Sequence, residues 1–281
     1  MNRINNYGKL TYPVFSSELI SLISKGKIYS LQYTLEDEIP VIPGHAPFSI
    51  SSYLRHSDTE NEFEGSAGAA TEMVIMGQHT GTHIDALCHF SKKIGDQRYF
   101  HGNKPVAGSE NEKGIHTWSI EKMPPIIQRC VLLDIAGSLS RDVLKDSYVI
   151  TKADIESCLK YQGIKLKPKD CVLLRTGFSK YWKKDNERFL TSHAGVNLES
   201  ARYLVEQGVS VVGGDTPTFE VLPSPKHDVH VYLLVEQGVP IIENLYLDEL
   251  AQDKVYEFVL IVTPLKLKGA TASVIHPIAI C

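Results

Sequence analysis

An α/β fold is the expectation for this 281-residue chain, and three observations support it. Short apolar, β-branched runs recur along the sequence, two segments among them read as helices, and one helix-glycine-strand phrase occurs twice. The runs that predict strands are residues 27–34, 131–135, 172–174, 209–212, 241–242 and 257–262. Helices are predicted over 154–161 and 198–207, the second with Asn197 as N-cap and Gly208 as stop.

The repeated phrase is YLVEQGVSVVGGD (203–215), echoed by LLVEQGVPIIEN (233–244). Each copy delivers an acid at the end of its strand, Asp215 in the first and Glu243 in the second. Sites gather at the carboxyl ends of strands in open α/β sheets; capping a turn is the stronger reading for Asp215 and an equal one for Glu243. Two polar stretches interrupt the pattern, 55–65 and 92–118. The second is long enough to serve as a lid or an oligomer contact as readily as a solvated loop. Neither has the composition of a linker, so one domain is expected over 1–281.

A hydrophobic fraction of 43% with 22% charged residues is an ordinary globular balance that can bury a sizeable core. The formal charge of -4, from 29 basic and 33 acidic side chains, supplies no cationic field for phosphates, which argues against a nucleic-acid partner. No apolar run approaches the roughly 20 residues that a membrane helix needs, and the first residues lack the apolar core of a secretory signal. Five cysteines form no CxxC pair and no disulfide-dense pattern. A soluble protein in a reducing, cytoplasmic setting is the expectation.

The chemistry is concentrated in residues 78–90, QHTGTHIDALCHF, where three histidines and an aspartate fall within eleven positions. A lone histidine is usually an ordinary hydrogen-bonding residue; four such groups this close suggest shared ligands. A helix would align His79 and His83 at i, i+4 but turn Asp85 away. An extended segment sends the odd positions 79, 83, 85 and 89 to one side and leaves Ile84, Ala86, Cys88 and Phe90 for the core. A straight strand would hold His79 and His83 about 13 Å apart, so a bend is needed, and Gly81 permits one. Imidazoles plus a carboxylate suit Zn or Mn, and an open site of that kind lowers the pKa of water toward ~7 and polarises carbonyls. His89, farther along, is placed to move protons. Cys88 points away from the histidines, and no GxSxG elbow is present.

The stretch HTGTHIDALCH resembles the HxGTHxDxPxH signature of the cyclase family of metal hydrolases, which includes bacterial kynurenine formamidase and isatin hydrolase. Further matches are RTGF (175–178), GGDTPTFE (213–220), His230 in HVYLL, PIIENL (240–245) and PLKLKGATAS (264–273). The resemblance implies a mixed, barrel-like sheet with flanking helices. It implies that His79, His83 and Asp85 bind one metal, that Asp85 and Glu243 reach two where a second is present, and that His230 is a further ligand. His89 matches the proton-transferring histidine, and homo-oligomers, dimers or tetramers, are the family habit. His227 lies three residues before His230 and competes with it for the ligand role; motif register favours His230.

Leu87 stands where the compact formamidases carry proline, Val41 lies near their substrate-stacking tryptophan, and the 92–118 insertion is extra, which places the chain with the longer members. The expected reaction is hydrolysis of an amide, formamide, cyclic imide or lactam C–N bond in a small molecule by metal-activated water. The alternatives are ring-opening of a lactone on the same scaffold and a non-catalytic protein that binds metal or ligand. Tyr99, Phe100 and Phe219 are candidates to line the pocket, although for each a core role is the stronger reading.

Overall fold

The computed structural model describes residues 6–14, 16–23, 26–59 and 67–281. The apolar runs assemble into one nine-stranded mixed sheet. Its strands are β1 (Ile28–Ser30), β2 (His83–Asp85), β3 (Ile126–Asp134), β4 (Cys171–Arg175) and β5 (Val211–Gly214), followed by β6 (Ile241–Glu243), β7 (Glu257–Val262), β8 (Ala272–Val274) and β9 (Ile278–Ile280). They lie in the order β8-β2-β6-β5-β4-β3-β7-β9-β1. The central four, β3 to β6, run parallel. The flanking pairs are antiparallel, and the sheet curls into a half-barrel.

Parallel strands are covered on both faces, so their sequences are almost continuously apolar. Val131 to Leu133 and Val172 to Leu174 are buried accordingly. β3 starts five residues before the apolar run that predicts it, because Gln128 and Arg129 interrupt that run. Arg129 is nevertheless buried, since Asp170 and Glu257 both pair with its guanidinium. A buried charge is tolerable when it is neutralised and hydrogen-bonded in this way.

Helix α1 (Lys152–Gln162) begins with a capping box between Thr151 and Asp154. In α2 (Leu198–Glu206) the Asn197 side chain accepts from the Ser200 amide at 2.9 Å, which is the cap the sequence predicts. α3 starts as Asp228–His230 and continues with π-helical bonding over Val231–Gln237. The repeated phrase is thus realised as α2-Gly208-β5 and α3-Gly238-β6, with β5 and β6 adjacent and Val212 opposite Ile241. Gly238 has φ +65°, and a Cβ there would meet the His101 ring at 2.7 Å, so both conformation and space demand glycine.

Residues 92–118 form structure of their own: a three-stranded sheet (Lys92–Ile94, Gln97–Phe100, Lys104–Pro105) and a short hairpin (Glu110–Asn111, Gly114–Ile115). The segment braces α3. His101 Nδ1 lies 3.0 Å from the Val235 carbonyl, and Lys92 pairs with Glu236 at 2.7 Å. Of the polar stretch 55–65, His56–Asp58 makes a single 3-10 turn, and residues 60–65 lie outside the described residues. Among the described residues no helix is long and apolar enough to cross a membrane.

Candidate metal centre

The histidine-rich segment is a strand only at its centre. β2 covers His83 to Asp85, whose two side chains share a face while Ile84 is fully buried on the other. The expectation of extended backbone from 79 to 89 fails on both sides, because turns intervene. Thr80 N donates to the Gly77 carbonyl, Gly81 takes φ +69°, and His89 N donates back to the Ala86 carbonyl at 2.9 Å. Strand alternation therefore accounts for His83 and Asp85 but not for His79 and His89, which the turns fold back over the strand. The rings of His79 and His89 end 4.0 Å apart, centroid to centroid. Phe90, expected in the core, instead faces the cavity for the same reason.

The bend at Gly81 is held from β6. Asn244 Nδ2 donates to the Gly81 carbonyl at 3.1 Å, and Thr82 Oγ1 donates to the Asn244 carbonyl at 2.6 Å. That same Gly81 carbonyl accepts from His83 Nδ1 at 2.9 Å, so Nε2 carries the free lone pair and points into the cluster. His83 lies opposite Glu243 in the β2–β6 ladder, which brings Glu243 Oε2 to 3.3 Å from His83 Nε2. β8 pairs on the other side of β2, and Thr271 just before it sets its hydroxyl 3.0 Å from His79 Nε2.

Asp85 is the centre of the arrangement. Its Oδ1 is 2.9 Å from His79 Nδ1 and 3.6 Å from His83 Nε2; its Oδ2 is 3.8 Å from His230 Nε2 and 4.0 Å from His89 Nε2. His230 Nε2 is also 3.1 Å from Glu243 Oε1. All six side chains that the sequence singled out, His79, His83, Asp85, His89, His230 and Glu243, therefore meet. Among them two overlapping triads have donor atoms within 4.8 Å of one another: His79, His83 and Asp85, and Asp85, His230 and Glu243.

These residues suit a divalent cation. Asp85 is fully buried, yet neither of its oxygens accepts a well-directed hydrogen bond, and His83 Nε2 is likewise without one. Buried polar atoms are rarely left so, and a carboxylate amid converging lone pairs is costly unless a positive charge sits there. Burial pushes the Asp85 carboxyl up, but His89, His79 and His83 outweigh it and hold the group well below the usual range. Burial pulls His89 down to about 3 despite Asp85, so its imidazole is neutral at physiological pH. His230 responds oppositely: burial lowers it, but hydrogen bonds to Glu220 and Glu243 lift it to about 10.

Glu220, the last residue of GGDTPTFE and one to which the sequence assigns no role, organises this side of the site. It is buried and accepts from His230 Nδ1 at 2.7 Å, His227 Nδ1 at 2.8 Å and the Val229 amide at 3.1 Å. His230 thereby presents Nε2 to Asp85 and Glu243, whereas His227 is turned onto Glu220 and stands outside both triads that contain Asp85. His45 is a second omission; its ring lies 5.3 Å from that of His79, a long-range placement that no local spacing signals.

Asp215 caps a turn. It accepts from the Thr176 and Gly177 amides and from the Thr176 hydroxyl, so RTGF and GGDTPTFE meet as scaffold. Phe100 and Phe219 are core residues, the stronger of the two roles expected for them, and Tyr99 bonds to Gln97 on the surface sheet; none of the three lines the cavity. Cys88 is buried with its thiol pushed up to about 12 by burial, which leaves it a poor nucleophile.

The cavity over the cluster has a volume of about 180 Å³, and its non-ligand wall includes Ile42, His45, Phe90 and Thr218. A larger open depression of about 570 Å³ lies around Arg175, but Asp134 and Asp248 already neutralise that guanidinium at 2.9 and 2.8 Å. It holds no group comparable to Asp85.

Residues 29–221 match the Cyclase family model, described as "Putative cyclase". Kynurenine formamidase of Bacillus cereus (strain ATCC 10987 / NRS 248) is 27% identical over 248 residues, covering 87% of this chain and 94% of that protein. A crystal structure of a novel cyclase superposes with a TM-score of 0.87 at 28% identity, covering 99% of this chain and 97% of its own. Isatin hydrolase A from Labrenzia aggregata, bound to benzyl benzoate, shares the fold with a TM-score of 0.68 at 22% identity, over 93% and 97% of the two chains.

Proposed function

This chain belongs to the Cyclase family, and from that premise we propose that it is a metal-dependent hydrolase cleaving an amide, formamide, cyclic imide or lactam C–N bond in a small molecule. The observation that carries this reading is Asp85, a buried carboxylate with no directed hydrogen bond, ringed by imidazole nitrogens. The C–N specificity draws support from the relatives, which include a kynurenine formamidase.

His79, His83 and Asp85 would hold one ion, with His230 and Glu243 completing a place for a second that shares Asp85. The donor set of nitrogen and oxygen without thiolate suits Zn or Mn. When bound, such an ion supplies Lewis acidity, polarising a carbonyl and making water more acidic.

The rest is the work of the side chains. His89 is neutral and part-exposed at the cavity, so its Nε2 can take a proton from the attacking water and return it to the departing nitrogen. Asp85, 4.0 Å from that Nε2, stabilises the transient imidazolium. Ile42 and Phe90 offer apolar contact to one face of a small substrate and exclude water around it. At about 180 Å³ the cavity suits a single ring or a short acyl group rather than a polymer.

The reading is tested by assaying metal-stripped and Zn- or Mn-loaded protein on N-formyl aromatic amines, cyclic imides and their ester counterparts. Turnover of a C–N substrate that chelation abolishes and metal restores is expected. Absence of hydrolysis in every metal-loaded sample, or hydrolysis indifferent to chelation, overturns it; ester-only turnover reassigns the bond.

A further inference from the structure

His45 stands on the cavity wall with hydrogen-bonding capacity that the described residues leave unused. It closes a tight turn over Ile42-Pro43-Gly44-His45, in which the His45 amide donates to the Ile42 carbonyl at 3.1 Å and Gly44 takes φ +95°. Proline at the second position and glycine at the third suit a type II turn, so the chain is stiff where it meets the cavity. The next residue is anchored too. The Ala46 carbonyl accepts from the Gly77 amide at 2.9 Å and the Thr80 hydroxyl at 3.0 Å, which fixes the turn to the segment carrying His79. The His45 ring thereby lies 5.3 Å from the His79 ring, centroid to centroid.

The two ring nitrogens of His45 differ. Nδ1 is buried with no hydrogen-bond partner among the described residues, whereas Nε2 is open. A buried N–H without an acceptor is rarer than a lone pair without a donor, so Nδ1 is the bare nitrogen and Nε2 carries the hydrogen. Protonation of the ring leaves that hydrogen in place, so the donor is present in either charge state. Outside the metal cluster, the other polar side chains of the wall are committed: Thr218 Oγ1 donates to the Glu220 carbonyl at 2.8 Å, and His227 Nδ1 is held on the Glu220 carboxylate at 2.8 Å. His45 Nε2 is the donor that this wall keeps for a bound molecule.

We propose that His45 determines specificity by donating from Nε2 to a second carbonyl oxygen of the substrate, and that the substrate is a cyclic imide. This rests on the hydrolase reading and narrows it. In a cyclic imide one nitrogen carries two carbonyls. Water adds to one of them, the C–N bond breaks, and its electron pair passes to nitrogen and is shared with the second carbonyl oxygen until His89 returns the proton to nitrogen. The ring opens to a carboxylate and an amide. A donor on that second oxygen binds more strongly as charge develops there, so it speeds ring opening as well as holding the ring. A simple lactam or an N-formyl amine lacks this oxygen. A single small ring also suits a cavity of about 180 Å³ walled by Ile42 and Phe90.

The test compares succinimide with N-formylaniline on Zn-loaded wild type, His45→Phe and His45→Gln, the last placing an amide N–H near the position of Nε2. The ratio of kcat/KM for the imide to that for the formamide should fall by about ten- to a hundredfold in His45→Phe, chiefly through kcat, and return to within about threefold of wild type in His45→Gln. A structural role alone would lower both substrates together, and an unmoved ratio overturns the proposal. Turnover of N-formylaniline with none of succinimide overturns it too, while the hydrolase reading stands. Where N-formylaniline is not turned over, or His45→Phe misfolds, calorimetric binding to wild type decides: succinimide should bind about fivefold tighter than 2-pyrrolidinone, the same ring without the second carbonyl, and equal affinities refute the donor.

Discussion

Glu220→Gln isolates the contribution of a side chain that touches neither Asp85 nor Glu243 yet orients His230 between them. Glutamine keeps the shape and one acceptor but replaces the second oxygen by an NH2 group. Three donors, His230 Nδ1, His227 Nδ1 and the Val229 amide, then compete for one oxygen, and a donor is forced against a donor in a buried site. The hydrogen bond to His230 also loses its charge assistance, which lowers the basicity of Nε2. Loss of such a partner to a ligating histidine costs 10–100-fold in metal affinity, about 1.4–2.7 kcal/mol. The loss should fall on the ion held by Asp85, His230 and Glu243. Zinc competition against a chromophoric chelator, alongside a thermal melt, measures both affinity and fold. Affinity within about threefold of wild type in a folded variant would refute the orienting role of Glu220.

Three other outcomes are expected. Gly81→Ala should destabilise the protein by about 1–2 kcal/mol in denaturant titration and weaken metal binding, because residue 81 needs φ +69°. Its new Cβ would also sit 2.7 Å from Leu35 Cδ2; an unchanged midpoint contradicts the reasoning. His89→Ala should retain metal while turnover falls by about 10²–10⁴, and full activity would remove His89 from proton transfer. Metal affinity should rise with pH: the metal-free site holds His230 protonated up to about 10, so binding must expel that proton. Each unit of pH between ~6 and ~9 then gains up to about tenfold, and a flat profile in that range speaks against His230 as a ligand.

The sequence carried most of the fold because the parallel core strands are apolar throughout and the repeated helix-glycine-strand phrase marks its own boundaries. β3 was foreshortened since a buried Arg129 looks like a strand end until Asp170 and Glu257, distant in the chain, are seen to neutralise it. Membership of the cluster was legible in the motif, but its geometry was not. Parity predicts the shared face of His83 and Asp85, whereas His79 and His89 arrive through turns closed on the Gly77 and Ala86 carbonyls, and the His79 ring is then held by the distant Thr271 hydroxyl. Glu220 and His45 gave no local signal, because their roles arise from contact with residues on other elements. Of the pocket aromatics, spacing could not separate a core Phe219 from a cavity-facing Phe90.

The most direct test of the central claim is anomalous diffraction from crystals of protein loaded with zinc or manganese. A peak at about 2.0–2.2 Å from His79, His83 and Asp85 is predicted. A peak elsewhere, or a protein that emerges from metal loading with no ion bound among these three side chains, would contradict it.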